Sequence, residues 1–220
     1  MTQSEMAPLQ RILGRMPVDT FFAEIWEKRP ALIQRAGANA FDDIITLVQL
    51  DDFLRRSDIR HPTLRMVRDG AELPLEAYTR ELKLGSHISR DLVDNEKLFS
   101  LFQSGGTIVL QFLQNNIASF GHFTNALEED LGCNVHGSCF ITPHEAQGFT
   151  AHYDTYSFFV VQLFGKKRWK IYNRTASAPI REDRDADFPW VERDPTQEHT
   201  LECGDILYVP RGYFHEAATT

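Results

Sequence analysis

Long apolar runs are missing from this chain of 220 residues, and no stretch approaches the ~20 residues that cross a bilayer, so a membrane-spanning helix is excluded. Met1 to Leu9 hold no basic segment followed by an apolar one, so no secretory leader is read there. Cysteine is scarce. Cys133, Cys139 and Cys203 are three, an odd number, at spacings unlike those of zinc sites. They read as reduced thiols of a cytoplasmic protein. Excess positive charge is lacking too. A net charge of −8 argues against a general nucleic-acid surface. It is compatible with a basic protein or peptide partner, and equally with plain solubility. No internal repeat or low-complexity tract occurs, and nothing in the sequence speaks to oligomeric state.

Two textures divide the chain. Residues 1–104 read as a helix-rich flank with a few strands. Helices are expected from Asp19 to Trp26, over residues 41–47 and 50–56 (the latter opened by Asp51 and Asp52), from Leu75 to Leu82, and from Asn95 to Gln103. Short strands are expected at Ala31–Ile33 and at Leu64–Arg68, the second closed by the turn pair Asp69-Gly70. After Gly105-Gly106, β-branched and aromatic residues take over. Apart from a helix from Phe120 to Leu131, ended by Gly132, short strands dominate: 107–113, 137–142, 151–163, 168–172 and 206–209. A polar stretch from Asn173 to Glu198 interrupts them. Helices followed by many short strands suggest a β-barrel or double-sheet sandwich over residues 105–220 with an α-rich N-terminal flank.

The chemistry lies in three residues. His152 and Asp154 stand two apart before the apolar run Ser157 to Leu163, and side chains two apart on a strand share a face. His215 follows in Gly204-Asp-Ile-Leu-Tyr-Val-Pro-Arg-Gly-Tyr-Phe-His215. Two imidazoles and one carboxylate leave coordination positions open and suit non-haem Fe(II) used for oxygen chemistry. A lone His-x-Asp is more often an ordinary polar pair at a strand start, so its flanks decide. Of the remaining histidines, His144, after the Thr142-Pro143 turn, is the reserve ligand; His61, His87, His122, His136 and His199 read as surface or packing residues.

Those flanks resemble a known family. Phe140-Ile-Thr-Pro143, Gln147-Gly148, His152-Tyr-Asp154, Gln162-Leu163 and Gly165-Lys-Lys-Arg-Trp-Lys-Ile-Tyr172 are similar to the JmjC-type 2-oxoglutarate oxygenases, nearest the ribosomal-oxygenase, cupin-4-like group. Leu201 to Glu216 matches that group's second motif, and Phe21 to Ile33 resembles its opening segment. The resemblance implies a double-stranded β-helix, a cupin-like jelly-roll barrel, with the metal near one open end. It implies at least one further strand beyond Thr220, and often a dimerisation region and a winged-helix domain. It also implies a dioxygenase that uses Fe(II), 2-oxoglutarate and dioxygen to hydroxylate a protein side chain, such as Arg or His of a ribosomal protein. A free amino acid or peptide natural product is the alternative substrate, and a non-catalytic binding barrel the alternative role.

By strand parity Lys167 shares a face with Trp169 and Ile171, while Lys166, Arg168 and Lys170 take the other. The resemblance places the cosubstrate's carboxylate-binding cation at Lys167. Ser138 and Thr142, on one parity with Phe140, are further candidates for the cosubstrate pocket. Relatives often carry Asn and Tyr where Ser138 and Phe140 stand, and Phe140 lacks the hydroxyl. Thr219 and Thr220 lie near where relatives place another Ser or Thr, and Gln162 is a candidate inward residue. The polar stretch holds Glu182, Asp183, Asp185, Asp187, Glu192, Asp194 and Glu198. It reads as a solvated loop or as an acidic rim for a basic substrate.

Overall fold

Local signals set where most elements begin and end. The computed structural model describes residues 6–33, 40–174, 178–180 and 194–220. Helix α1 is Pro8–Leu13 and α2 is Val18–Thr20, which continues as a π-helical turn over Phe21–Ile25. Glu27 then adopts a left-handed φ of 57° and the chain turns into strand β1, Ala31–Ile33. The two helices expected over 41–47 and 50–56 are one, α3, Leu47–Leu54. Its start is fixed by Thr46, whose hydroxyl accepts the Gln49 N–H at 3.2 Å while the Gln49 side chain accepts the Thr46 N–H at 2.9 Å. This reciprocal cap satisfies two end donors at once and outcompetes a start at Asp51.

Strand β2 (Leu64–Arg68) turns at Asp69 and Gly70, both at positive φ, into β3, Ala71–Glu72. The helix expected from Leu75 to Leu82 is absent. A 3-10 turn at Leu75–Ala77 leads instead into β4, Thr79–Leu84, paired antiparallel with β5, His87–Val93. Residues such as Glu81, Leu82 and Lys83 favour helix locally, but a pairing partner at the right distance overrides a weak propensity. With five strands among its described residues, the first hundred positions are mixed rather than α-rich. Helix α4 (Asn95–Gln103) is capped by the Asp94 carboxylate, and α5 (Ala118–Leu131) ends at Gly132 with φ 66°. Between them runs β6, Thr107–Leu110, and after α5 comes β7, Cys139–Ile141. The remaining strands are β8 (Phe158–Val161), β9 (Lys167–Arg174), β10 (Gln197–Leu201), β11 (Ile206–Val209) and β12 (Tyr213–Thr219). The stretch from Ala151 to Ser157, expected as strand, makes only one isolated bridge.

The chain forms two units, one of residues 1–40, 150–218 and Thr220, the other of residues 41–149 and Thr219. In the second unit the sheet order is β3-β2-β6-β7, beside the β4-β5 hairpin. Leu64, Met66, Ile108 and Leu110 are at most 1% exposed in its core. Gly106 is required there, since a Cβ would lie 2.8 Å from the Met66 methyl and 2.9 Å from the Leu101 carbonyl oxygen. The first unit holds two three-stranded sheets, β1-β11-β8 and β10-β9-β12. Leu207 and Val209 of one sheet share a buried core with Ile171 and Leu201 of the other, and Leu32, Phe158, Val160, Trp169 and Tyr213 pack against it. This is a small β-sandwich. Among the described residues no helix is long and apolar enough to cross a membrane.

Thr46→Ala is expected to destabilise the fold by about 1 kcal/mol, and Thr46→Ser by much less, since serine retains the capping oxygen. Urea unfolding of the two variants against the parent measures this, and equal midpoints would remove the cap from the account of where α3 starts.

Candidate metal centre

Backbone pairing brings the two histidines together. The His152 N–H donates to the His215 carbonyl at 3.1 Å and the His215 N–H to the His152 carbonyl at 2.8 Å. Residues directly opposite in an antiparallel bridge project to one side, and here the two ring centroids are 4.4 Å apart. The Gly212 N–H donates to the Asp154 carbonyl at 2.9 Å, which ties the next turn of the chain to the same segment. The Asp154 Oδ2 lies 3.5 Å from the His215 Nε2. One ligand atom from each of His152, Asp154 and His215 lies within 4.8 Å of the others. Among the described residues this is the one such group of His, Cys, Asp or Glu.

Hydrogen bonds select the tautomers. The Nδ1 of His152 is 2.7 Å from the Thr150 carbonyl oxygen, and the Nδ1 of His215 is 3.0 Å from that of Tyr213. A carbonyl only accepts, so each Nδ1 donates and each neutral ring carries its lone pair on Nε2. His215 is 4% exposed, its ring 4.9 Å from that of Phe158 and 6.0 Å from that of Trp169. Burial, and then the neighbouring His152, push its pKa down to about 3, against the Tyr213 carbonyl, which raises it. Neutral at ordinary pH, His215 therefore aims a lone pair at a carboxylate. Two electron-rich groups so placed repel each other unless a cation lies between them. Divalent metals bind N and O ligands at ~2.0–2.2 Å, which puts neighbouring ligand atoms roughly 3 Å apart. The donor set fits such an ion, and backbone carbonyls acting through the far ring nitrogens are a common means of orienting metal-binding histidines.

The lysines divide by face. Lys167 stands opposite Leu201, which is fully buried, and shares its side of β9 with Trp169 and Ile171. Lys166 pairs with Glu202, Arg168 lies 3.9 Å from Glu198, and Lys170 3.3 Å from Glu216. Ser138 and Thr142 belong to the second unit. Ser138 is exposed, and the Thr107 hydroxyl donates to that of Thr142 at 3.2 Å. Phe140 is 49% exposed, its ring 6.4 Å from that of Phe149. The Thr219 hydroxyl meets the Pro143 carbonyl at 2.5 Å and accepts the Ala146 N–H at 3.0 Å. The Gln162 amide donates to the Phe164 carbonyl at 2.6 Å. The reserve ligand His144 is exposed and lies outside the cluster. His199 is half-buried in β10, in keeping with its reading as a surface or packing residue. It faces Trp169 across β10–β9, and burial lowers its pKa. Of the acidic stretch, residues 181–193 lie outside the described residues.

Residues 111–220 match the family model described as JmjC domain. The chain belongs to the JmjC domain family. It is 31% identical over 204 residues to the bifunctional lysine-specific demethylase and histidyl-hydroxylase NO66 of Culex quinquefasciatus, covering 92% of this chain and 30% of that protein. It is 31% identical over 201 residues to ribosomal oxygenase 1 of Gallus gallus, covering 90% and 32%. The fold is similar to that of YcfD, a ribosomal oxygenase from Escherichia coli, solved in complex with cobalt and 2-oxoglutarate. The TM-score is 0.60 at 18% identity, covering 93% of this chain and 48% of that one. The complex of YcfD with cobalt and succinic acid gives 0.61 at 19%, with the same coverage. This JmjC chain thus spans about a third of the length of these curated relatives and about half that of the solved chains.

The burial of His215 has a consequence for acid stability. Above the unfolded pKa of about 6.5 the ring is neutral in both states. Below it the unfolded chain takes up a proton that the folded site refuses until about pH 3. Stability of the metal-free protein is therefore expected to fall as pH drops through this window, by up to about 1.4 kcal/mol per pH unit from this group. His215→Gln should flatten the slope, as read from urea unfolding at several pH values; parallel slopes would place His215 outside the buried environment.

Proposed function

We propose that this JmjC domain belongs to an oxygenase that uses Fe(II) and 2-oxoglutarate to hydroxylate a protein side chain. The observation that carries the reading is the convergence of His152, Asp154 and His215, one ligand atom of each lying within 4.8 Å of the others. In it His152, Asp154 and His215 hold the metal. Lys167 receives the far carboxylate of 2-oxoglutarate. Bound iron supplies the chemistry that couples decarboxylation of 2-oxoglutarate to succinate and carbon dioxide with insertion of the second oxygen atom of dioxygen into a C–H bond. The chain's own part is to orient and to exclude water. The Thr150 and Tyr213 carbonyls hold the two rings, and Phe158 and Trp169 pack around His215 so that solvent stays off that ligand.

The substrate proposed is an Arg or His side chain of a ribosomal protein. The names of the relatives, histidyl-hydroxylase and ribosomal oxygenase, support that class, and a net charge of −8 suits a basic partner. A reducing, cytoplasmic setting fits three cysteines without zinc spacing.

Lys167→Ala is expected to weaken 2-oxoglutarate binding tens-fold or more. Losing one partner of a buried charge pair costs roughly 2–5 kcal/mol. Metal affinity should stay within a few-fold, and Lys166→Ala, altered on the outer face, should bind 2-oxoglutarate like the parent. Calorimetric titration with Mn(II), then with 2-oxoglutarate, separates the possibilities. Metal binding without any response to 2-oxoglutarate would favour a binding barrel, and equal cosubstrate affinity in both lysine variants would remove Lys167 from the site.

A further inference from the structure

The proposed chemistry leaves one well-built polar network unused. Glu27 sits in the turn between the π-helical segment and β1, at a left-handed φ of 57° that is uncommon for a residue with a side chain. Its carboxylate accepts the Ser157 hydroxyl and, at 2.6 Å, the Arg211 Nε–H. Its backbone N–H donates to the Tyr208 hydroxyl at 3.0 Å, and its carbonyl accepts from the Arg174 guanidinium at 3.0 Å. Next to it, the Lys28 carbonyl accepts the Tyr213 hydroxyl at 2.9 Å. Two consecutive residues thus engage five side chains drawn from three separate parts of the same unit.

Four of those five lie on the segments that carry the metal ligands. Ser157 closes the segment that begins at His152 and carries Asp154. Tyr208, Arg211 and Tyr213 lie along the stretch that leads into His215. The Arg211 N–H also donates to the Ser157 hydroxyl at 3.1 Å, and the Arg174 Nε–H to the Arg211 carbonyl at 3.2 Å. The network therefore joins the Asp154 segment directly to the His215 segment and pins both to Glu27. That joint matters because 151–157 forms no regular strand, and its backbone register rests on the isolated His152–His215 bridge and the Gly212–Asp154 hydrogen bond. The Arg211 and Glu27 side chains are about a third exposed, at 32% and 30%, so their ion pair is partly screened, but the hydroxyl and backbone contacts do not depend on salt.

We infer that Glu27 is a positioning residue for the metal centre, holding the Asp154 and His215 segments at their ligating separation through Ser157 and Arg211. The inference rests on the metal-binding reading of His152, Asp154 and His215. It also gives the opening segment from Phe21 to Ile33 a task at the site, through a residue that is not itself one of the three ligands. Partners bonded directly to a metal ligand commonly change affinity by about 10- to 100-fold when lost, and Glu27, which acts on the ligand segments through Ser157 and Arg211, is expected at the lower end of that range.

The test is Co(II) titration of metal-stripped full chain, read both as affinity and as the visible absorption of the bound ion, with circular dichroism to follow the fold. Parent protein should bind Co(II), and His152→Ala should lose binding. If the parent does not bind, or His152→Ala binds equally, the metal reading itself is wrong and the inference goes with it. Given binding, Glu27→Ala should weaken Co(II) about 10-fold and alter the absorption envelope. Glu27→Gln, which keeps an acceptor for Ser157 and Arg211, should recover most of the loss. Arg55→Ala, which removes an exposed ion pair on α3, is the control and should match the parent. Parent-like affinity and spectrum in Glu27→Ala, whatever happens to its melting temperature, would overturn the inference and leave the network a structural tie only. Should Glu27→Ala fail to fold, Ser157→Ala decides: it removes one donor to the carboxylate and is expected to cost several-fold in Co(II) affinity, and no change would overturn the inference equally.

Discussion

Two backbone hydrogen bonds between His152 and His215 are the constraint on which the rest of the site depends. A strand pair has a side-chain period of two, so a slip of one residue on either side would turn one imidazole out of the site. The bridge is isolated, and no neighbouring ladder rungs of named strands extend it. Its register has to come from elsewhere: from the Gly212–Asp154 bond beside it and from β8 and β12, which begin within a few residues. The cost of this economy is that the ligand segment has little regular structure of its own.

The electrostatics follow from that placement. A neutral, nearly inaccessible imidazole facing a carboxylate is unfavourable in isolation, and desolvation prevents the ring from relieving the contact by taking a proton. What the arrangement suits is a cation supplied from outside. On the proposed metal-binding reading, the binding energy of a cation would include relief of that repulsion. The aromatic rings of Phe158 and Trp169 strengthen the effect by lowering the local dielectric. One buried donor nearby, the Trp169 indole N–H, has no acceptor among the described residues.

The sandwich core performs a second task. Because Trp169 and Ile171 are needed in the core, β9 must place Lys167 on the same face and send Lys166, Arg168 and Lys170 toward the acidic residues outside. Packing of apolar residues thereby orients a cation. The same mechanism turns His199 inward opposite Trp169.

Much of this was legible in the sequence where the signal is local. The His-x-Asp spacing, the Asp69-Gly70 turn, the end of α5 at Gly132 and the parity of Lys167 all depend on residues a few positions apart, and local geometry carries them. The resemblance of the motifs to JmjC oxygenases, with the family match over residues 111–220, extends this to the fold class. What the sequence could not determine depended on partners distant along the chain. The β4–β5 hairpin overrode helix-favouring residues because a pairing strand was available. The capping box of Thr46 and Gln49 is by contrast a local signal, three residues apart. The bridge across 63 positions from His152 to His215, the burial that keeps His215 neutral, and the reach of Glu27 to Ser157 and Arg211 exist only once the chain has folded back on itself. Backbone pairing and desolvation act through space, and a sequence records only neighbours along the chain.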